Sequence, residues 1–278
     1  MVLPARAPPV YTRRARRPAG AEAFCCNHLC DGTREECYFT CDYPTNRSSM
    51  PQHLAIGDSI TDGQFPDFKA LLNTTVDSHL IPINGGDTGE GVTCAGVWAQ
   101  DYERWDVVSY NFGAWDVGSS DCNLTRNATG QYLDPKLQLY VDRLTNITAQ
   151  LNRTRAARTG RLVYVLTTPS PQVPECCDDP SAAAAAVGPG KLGTHTCVKR
   201  TAVFNEAAKI LLQPMGIKIL DLWAWVAKKC PTPYRYDCPI QTMKPGDPCQ
   251  VHFDQPDGWA YVAQGYAAGI KAVMSGEL

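Results

Sequence analysis

The chain has 278 residues, 44% of them hydrophobic and 19% charged, and its formal net charge is −2. That length suffices for one large domain with its own core. The near-neutral balance gives no sign of a nucleic-acid partner or a disordered chain, and no run approaches 18 apolar residues, so no membrane span is expected.

Residues 1–20 carry Arg6, Arg13, Arg14, Arg16, Arg17 and four prolines, with no apolar h-region. They do not read as a signal peptide and are expected to be disordered. Residues 21–50 hold Cys25, Cys26, Cys30, Cys37 and Cys41 and few aliphatic side chains. A segment this small needs cross-links to fold, so a disulfide-stapled extension is expected, packed on a main domain at 51–278.

From residue 51 onward strands alternate with helices. Residues 54–59 read as the first strand and 65–72 as a helix. A second strand is expected at 79–84, ending in Gly85-Gly86, then a short helix at 94–102 and a strong strand at 105–112. Asp134-Pro135 opens a long helix with Asp as N-cap and Pro at the first position. Its apolar stripe is Leu137, Tyr140, Val141, Leu144, Ile147 and Leu151. A strand at 161–167, a loop at 169–196, a helix at 198–212, a fifth strand at 216–222 and a short helix at 223–229 follow. A Pro- and Cys-rich loop at 230–250 leads to a closing helix at 257–274. This alternation implies a mostly parallel sheet covered on both faces.

Cysteine and asparagine usage point to the secretory route. The other cysteines are Cys94, Cys122, Cys176, Cys177, Cys197, Cys230, Cys238 and Cys249, making 13 in all. No repeated Cys-x-x-Cys or Cys/His array has zinc spacing, so disulfides are expected and no metal. The odd count leaves one thiol free or available to an intermolecular bridge. Asn46, Asn73, Asn123, Asn127, Asn146 and Asn152 each open an Asn-x-Ser/Thr site, more than half of the ten asparagines, where about one site is expected by chance. A secreted or extracellular glycoprotein is the expectation.

The stretch His53-Leu54-Ala55-Ile56-Gly57-Asp58-Ser59-Ile60-Thr61-Asp62 reads as a buried strand breaking into a tight turn. Two readings of Ser59 stand. A nucleophile at the carboxyl end of a strand sits where open α/β sheets place their sites, and its N–H at a helix start can hold an oxyanion. Ser59-Ile60-Thr61-Asp62 also fits a helix capping box, which is structural.

The remaining blocks bear on that choice. Asn84-Gly85-Gly86 follows the second strand, Asn111-Phe112-Gly113-Ala114-Trp115-Asp116 the third, and Val251-His252-Phe253 precedes Gly258-Trp259. With Gly57-Asp58-Ser59, these resemble in order the blocks of the SGNH (GDSL-type) esterase/lipase superfamily, over residues 54–270. Thr167-Thr168-Pro169, Phe204-Asn205 and Asp221-Leu222-Trp223 resemble a subgroup of it. The resemblance implies a flavodoxin-like three-layer α/β/α sandwich on a five-stranded sheet. It also implies Ser59 as nucleophile, His252 as base, and the N–H groups of Ser59 and Gly86 as oxyanion hole.

Two positions depart from the pattern. Trp115 stands where the family has an oxyanion-hole Asn; its indole N–H can donate one hydrogen bond, or the ring fills space. Cys249 stands at the acid's position, three residues before His252. Asp247 and Asp254 are near enough in sequence to replace it, and a backbone carbonyl holding the ring would leave a Ser-His dyad. His28, His53, His79 and His195 read as surface or packed residues, Asp58 as a turn residue, Asp116 as a loop anchor and Asn111 as either a site residue or a strand-end cap.

The implied activity is hydrolysis of carboxylic esters without metal or organic cofactor, on an acylated small molecule or carbohydrate. The alternative is a non-catalytic binding or structural glycoprotein that keeps the fold. A Ser59–His252 separation beyond about 5 Å would favour the alternative.

Overall fold

In the computed structural model, the described residues are 27–29, 38–40, 43, 49–117, 124–169, 198–230, 238–241, 252–254 and 256–278. The expectations for residues 1–20, for most of 21–50 and for most of the loops at 169–196 and 230–250 lie outside them, as do Asn46, Asn123, Asp247 and Cys249.

Strands β1 (Asn27–Leu29) and β2 (Tyr38–Thr40) pair antiparallel. The main sheet is built from β3 (Gln52–Ile56), β4 (Asp77–Leu80), β5 (Val107–Tyr110), β6 (Leu162–Val165) and β7 (Lys218–Leu220), in the order β4-β3-β5-β6-β7. All four pairings are parallel. This is the flavodoxin-like order, with a switch point between β3 and β5.

Both faces of the sheet are apolar, because alternate residues of each strand point to opposite sides. Leu54, Ile56, Val108, Tyr110, Leu162 and Tyr164 pack in one core cluster. That cluster includes residues of α2 (Thr88–Trp98), α3 (Pro135–Leu151) and α5 (Val198–Leu212), with the short α4 (Arg155–Arg158) alongside. Ala55, Val107, Val163 and Val165 face the other way. There they meet α1 (Ser59–Leu72), α6 (Leu222–Ala227) and α7 (Asp257–Ser275).

The predicted elements return with shifted ends. Strand β4 covers Asp77–Leu80 rather than 79–84, because its register against β3 pairs Gln52 with Asp77 and Ala55 with Leu80, while Pro82 has no N–H to extend the ladder. Helix α1 starts at Ser59 rather than 65 and carries Pro66 inside it. Helix α2 starts at Thr88 and ends at Trp98, not 94–102. Helix α3 begins as expected, with Asp134 accepting from Lys136 N–H and Leu137 N–H, and its stripe is buried except for the half-buried Val141.

Buried polar groups stitch the layers. The His53 ring lies 3.0 Å from Ser78 Oγ and 2.7 Å from Ser109 Oγ, and Ser109 meets Tyr266 of α7. Burial, with His79 nearby, pushes the His53 pKa down to about 3, so the ring stays neutral. Tyr43 packs on Trp105 and donates to the Trp98 carbonyl at 2.9 Å, tying chain from before β3 to the main domain.

Cys230 and Cys238 form a disulfide, and Cys94 is also disulfide-bonded. Asn73, Asn127, Asn146 and Asn152 are all exposed. Among the described residues no helix is long and apolar enough to cross a membrane.

Candidate active site

The turn after β3 is held by Asp58. Its backbone is extended and its Oδ1 accepts the Ile60 N–H at 3.0 Å, making it the N-cap of α1. This corrects the capping-box reading of Ser59-Ile60-Thr61-Asp62: the cap lies one residue earlier. Ser59 is the first helical residue, so its N–H has no intrahelical acceptor and its hydroxyl is spared from capping. Glycine is required at 57 because a Cβ there would lie 2.1 Å from Thr61 Oγ1.

His252 arrives from the segment before α7. The Asp254 N–H donates to the Ile240 carbonyl, and the Asp254 carbonyl accepts from Gly258 and Trp259. Phe253 is buried against Trp259. These anchors set His252 Nε2 2.9 Å from Ser59 Oγ, across 193 residues of sequence. That is hydrogen-bond reach for a nucleophile and its base. Of the two acid candidates, Asp254 is placed at this anchor.

The loop after β4 meets the same turn. Gly85 N–H donates to the Gly57 carbonyl at 2.8 Å, and a Cβ on Gly85 would come within 2.7 Å of that oxygen. Gly86 has φ +57°, which suits glycine. Its N–H donates to Asn84 Oδ1 at 3.0 Å. Asp87 then caps α2 by accepting from Gly89 and Glu90 N–H. Asp116 accepts from both the N–H and the hydroxyl of Thr88, which locks the third block to the second and supports its reading as an anchor.

Asn111 is a strand-end cap rather than a site group: its Nδ2 donates to the Val165 carbonyl at 2.7 Å. Asn205 holds the end of β6 by exchanging two hydrogen bonds with the Thr167 backbone.

An open cleft of about 550 Å³ lies beside Gly86, lined among others by Asn84, Asp87, Glu90 and Trp115. Trp115 does not fill space: it is 59% exposed. Two features of the cleft went unread in the sequence. One is the Asn84 oxygen on the Gly86 N–H. The other is the Glu90 carboxylate, which lies 1.6 Å from where a Gly86 Cβ would stand. Asp87-Thr88-Gly89-Glu90 has capping-box spacing, and that was the available signal for Glu90 near a turn. Burial, then Asp87, raises the Glu90 pKa. Among the described residues no group of three or more His, Cys, Asp or Glu side chains is placed to hold a metal ion.

Asp58 is buried and Asp116 half-buried beneath these loops, and loss of solvent pushes each carboxyl up to about 6, from 3.8. Among the described residues Asp58 Oδ2 has no hydrogen-bond partner. A folded-state pKa above the unfolded one means the native state binds the proton more tightly. The burial cost of Asp58 is therefore absent below about pH 4 and complete above about pH 6. Asn can replace Asp as the cap without that charge. Relative to wild type, Asp58→Asn is expected to gain about 3 kcal/mol of stability between pH 4 and pH 7.5, read by urea unfolding at both values. An unchanged difference between the two pH values would refute the shift.

No protein-family model matches the chain, and no curated protein matches it. Solved structures do. A lipase/acylhydrolase from Enterococcus faecalis aligns over 81% of this chain and 96% of its own, at TM-score 0.51 and 14% identity. A carbohydrate acetylesterase from Sinorhizobium meliloti, Est24, aligns over 80% of this chain and 99% of its own, at TM-score 0.50 and 11% identity. At such identities the likeness speaks for the fold: this chain has the three-layer α/β/α fold of the SGNH hydrolases.

Proposed function

We propose that the protein is a secreted serine hydrolase of carboxylic esters, acting on a small acyl group carried by a neutral, hydroxyl-rich alcohol such as a sugar. The observation that carries the reading is the 2.9 Å contact between Ser59 Oγ and His252 Nε2. A scaffold retained only for binding has no need of that contact. His252 takes the Ser59 proton as the oxygen attacks the ester carbonyl. The oxyanion forms against the N–H groups of Ser59 and Gly86. Collapse expels the alcohol, which takes the proton from His252, and water then releases the acid by the same route with His252 as base.

The cleft supports the substrate class. Among the described residues its lining carries two acids, Asp87 and Glu90, the first with Arg143 3.9 Å away, and this polar rim suits a neutral, hydroxyl-rich alcohol. The exposed Trp115 ring offers an apolar face with a polar N–H at its edge. Trp115→Ala is expected to raise KM for an acetylated sugar about three- to tenfold and to change kcat less. An equal fall in kcat with KM unchanged would instead make the indole an oxyanion donor. Turnover of long-chain lipid esters in preference to acetyl esters would overturn the substrate class.

The test of the reading itself is labelling of the purified, disulfide-bonded glycoprotein with a fluorophosphonate. Labelling that is lost in Ser59→Ala supports it. A folded wild-type protein that does not label refutes it and favours a binding module.

A further inference from the structure

We propose that Asn84 is a gate on the oxyanion hole: in the free protein its side-chain oxygen occupies the Gly86 N–H, and the reacting substrate displaces it. The inference rests on the serine hydrolase reading. Gly86 N–H and Asn84 Oδ1 are 3.0 Å apart, within the range at which such donors hold an oxyanion. Asn84 is exposed and lines the cleft, so its side chain has solvent to move into.

The loop does not need this bond for its shape. Gly85 is held by the Gly57 carbonyl, Asp87 caps α2, and Thr88 is held by Asp116. Each of these contacts bypasses the Asn84 side chain. What the Asn84 oxygen does engage is the donor that the chemistry requires.

The chemistry of the competitor matters. A ground-state ester carbonyl is a neutral acceptor, as the Asn84 amide is, so exchanging one for the other gains little. A developing oxyanion is a charged acceptor and makes a stronger hydrogen bond. The exchange is therefore favoured chiefly as charge appears on the substrate oxygen, which places the gain in the transition state rather than in substrate binding.

Two substitutions separate a gate from a turn-shaping residue. Asn84→Ala removes the competing oxygen. Asn84→Asp keeps the turn-forming geometry but strengthens the competing acceptor. A gate predicts that kcat/KM for 4-nitrophenyl acetate and the rate of fluorophosphonate labelling rise about three- to tenfold in Asn84→Ala and fall in Asn84→Asp. A structural role predicts the reverse order, with Ala slowed and Asp near wild type, and that result overturns the gate.

An activity-independent reading comes from the Gly86 amide resonance after glycine-selective 15N labelling of the full chain. Its proton is expected upfield in Asn84→Ala, and an unmoved resonance overturns the gate whatever the rates do. If that resonance moves but neither wild type nor either variant labels, the hydrolase reading fails and takes the gate with it. A wild type that labels, with Asn84→Ala no faster, sinks the gate alone.

Discussion

Ser59→Ala is expected to lower kcat/KM for acetyl esters by on the order of 10⁵-fold while leaving stability within about 0.5 kcal/mol of wild type. The two halves of this result belong together. If Ser59 were the helix cap, alanine would cost about 1 kcal/mol. The cap is Asp58, through its bond to the Ile60 N–H, so the hydroxyl serves no packing or capping end and its removal is felt in the chemistry. His252→Ala should act on the same step, and the double variant should be little worse than either single one, since nucleophile and base work as a unit. The acid follows from two further variants. Whichever of Asp247→Asn and Asp254→Asn lowers kcat by about 10²- to 10⁴-fold is the group that orients the imidazole. If neither does, a backbone carbonyl holds the ring and Ser59 and His252 form a dyad. Urea midpoints and ester hydrolysis measured on the same preparations separate these outcomes. A Ser59→Ala protein that keeps wild-type turnover would end the nucleophile assignment.

Strands β3, β5 and β6 were legible because each carries a short apolar run that is buried throughout, whereas β4 is Asp-Ser-His-Leu, only partly buried, and the apolar run that drew the expected strand to 79–84 lies mostly beyond it. The long helix α3 was legible from Asp134-Pro135 and from a stripe at regular spacing. Helix α1 was legible over 65–72 but its start was not, because Gly63 and Pro66 break the pattern; at Gly63 the reason is a tertiary contact. A Cβ on Gly63 would lie 2.5 Å from the Trp259 ring, so the gap in the pattern is the place where α7 approaches. The pairing of Ser59 with His252 was legible only through the order of the blocks, since 193 residues separate them. The identity of the cap, the occupant of the Gly86 N–H and the carboxylate over Gly86 depend on side-chain directions within a turn, and spacing in the sequence does not specify those. Trp115 had two readings in the sequence, and its exposure removes one of them.

The same contact between α1 and α7 carries the second large effect. Ser59 opens α1, and His252 stands just before α7, so the separation of nucleophile and base depends on how these two helices pack. Phe68 of α1 is fully buried and stacks on Tyr266 of α7, with ring centroids 4.3 Å apart and planes within 9°. Tyr266 in turn meets Ser109 of β5, so the pair is fixed to the sheet beneath. Phe68→Ala is expected to cost about 3–5 kcal/mol, from lost burial plus the cavity left between two helices that the sheet holds in place. That is a large share of the roughly 5–15 kcal/mol available to a domain. Tyr266→Phe keeps the stack and removes only the hydroxyl, and should cost about 1–3 kcal/mol through the buried Ser109 and His53 groups left behind. Urea unfolding measures both. Below saturating denaturant, Phe68→Ala should also lose ester hydrolysis ahead of global unfolding, because the helices that hold Ser59 and His252 together loosen first. A cost under about 1 kcal/mol would mean that α1 and α7 close the cavity by moving together, and the Ser59–His252 distance would then have to be held by the turn at Asp58 and the anchor at Asp254 alone.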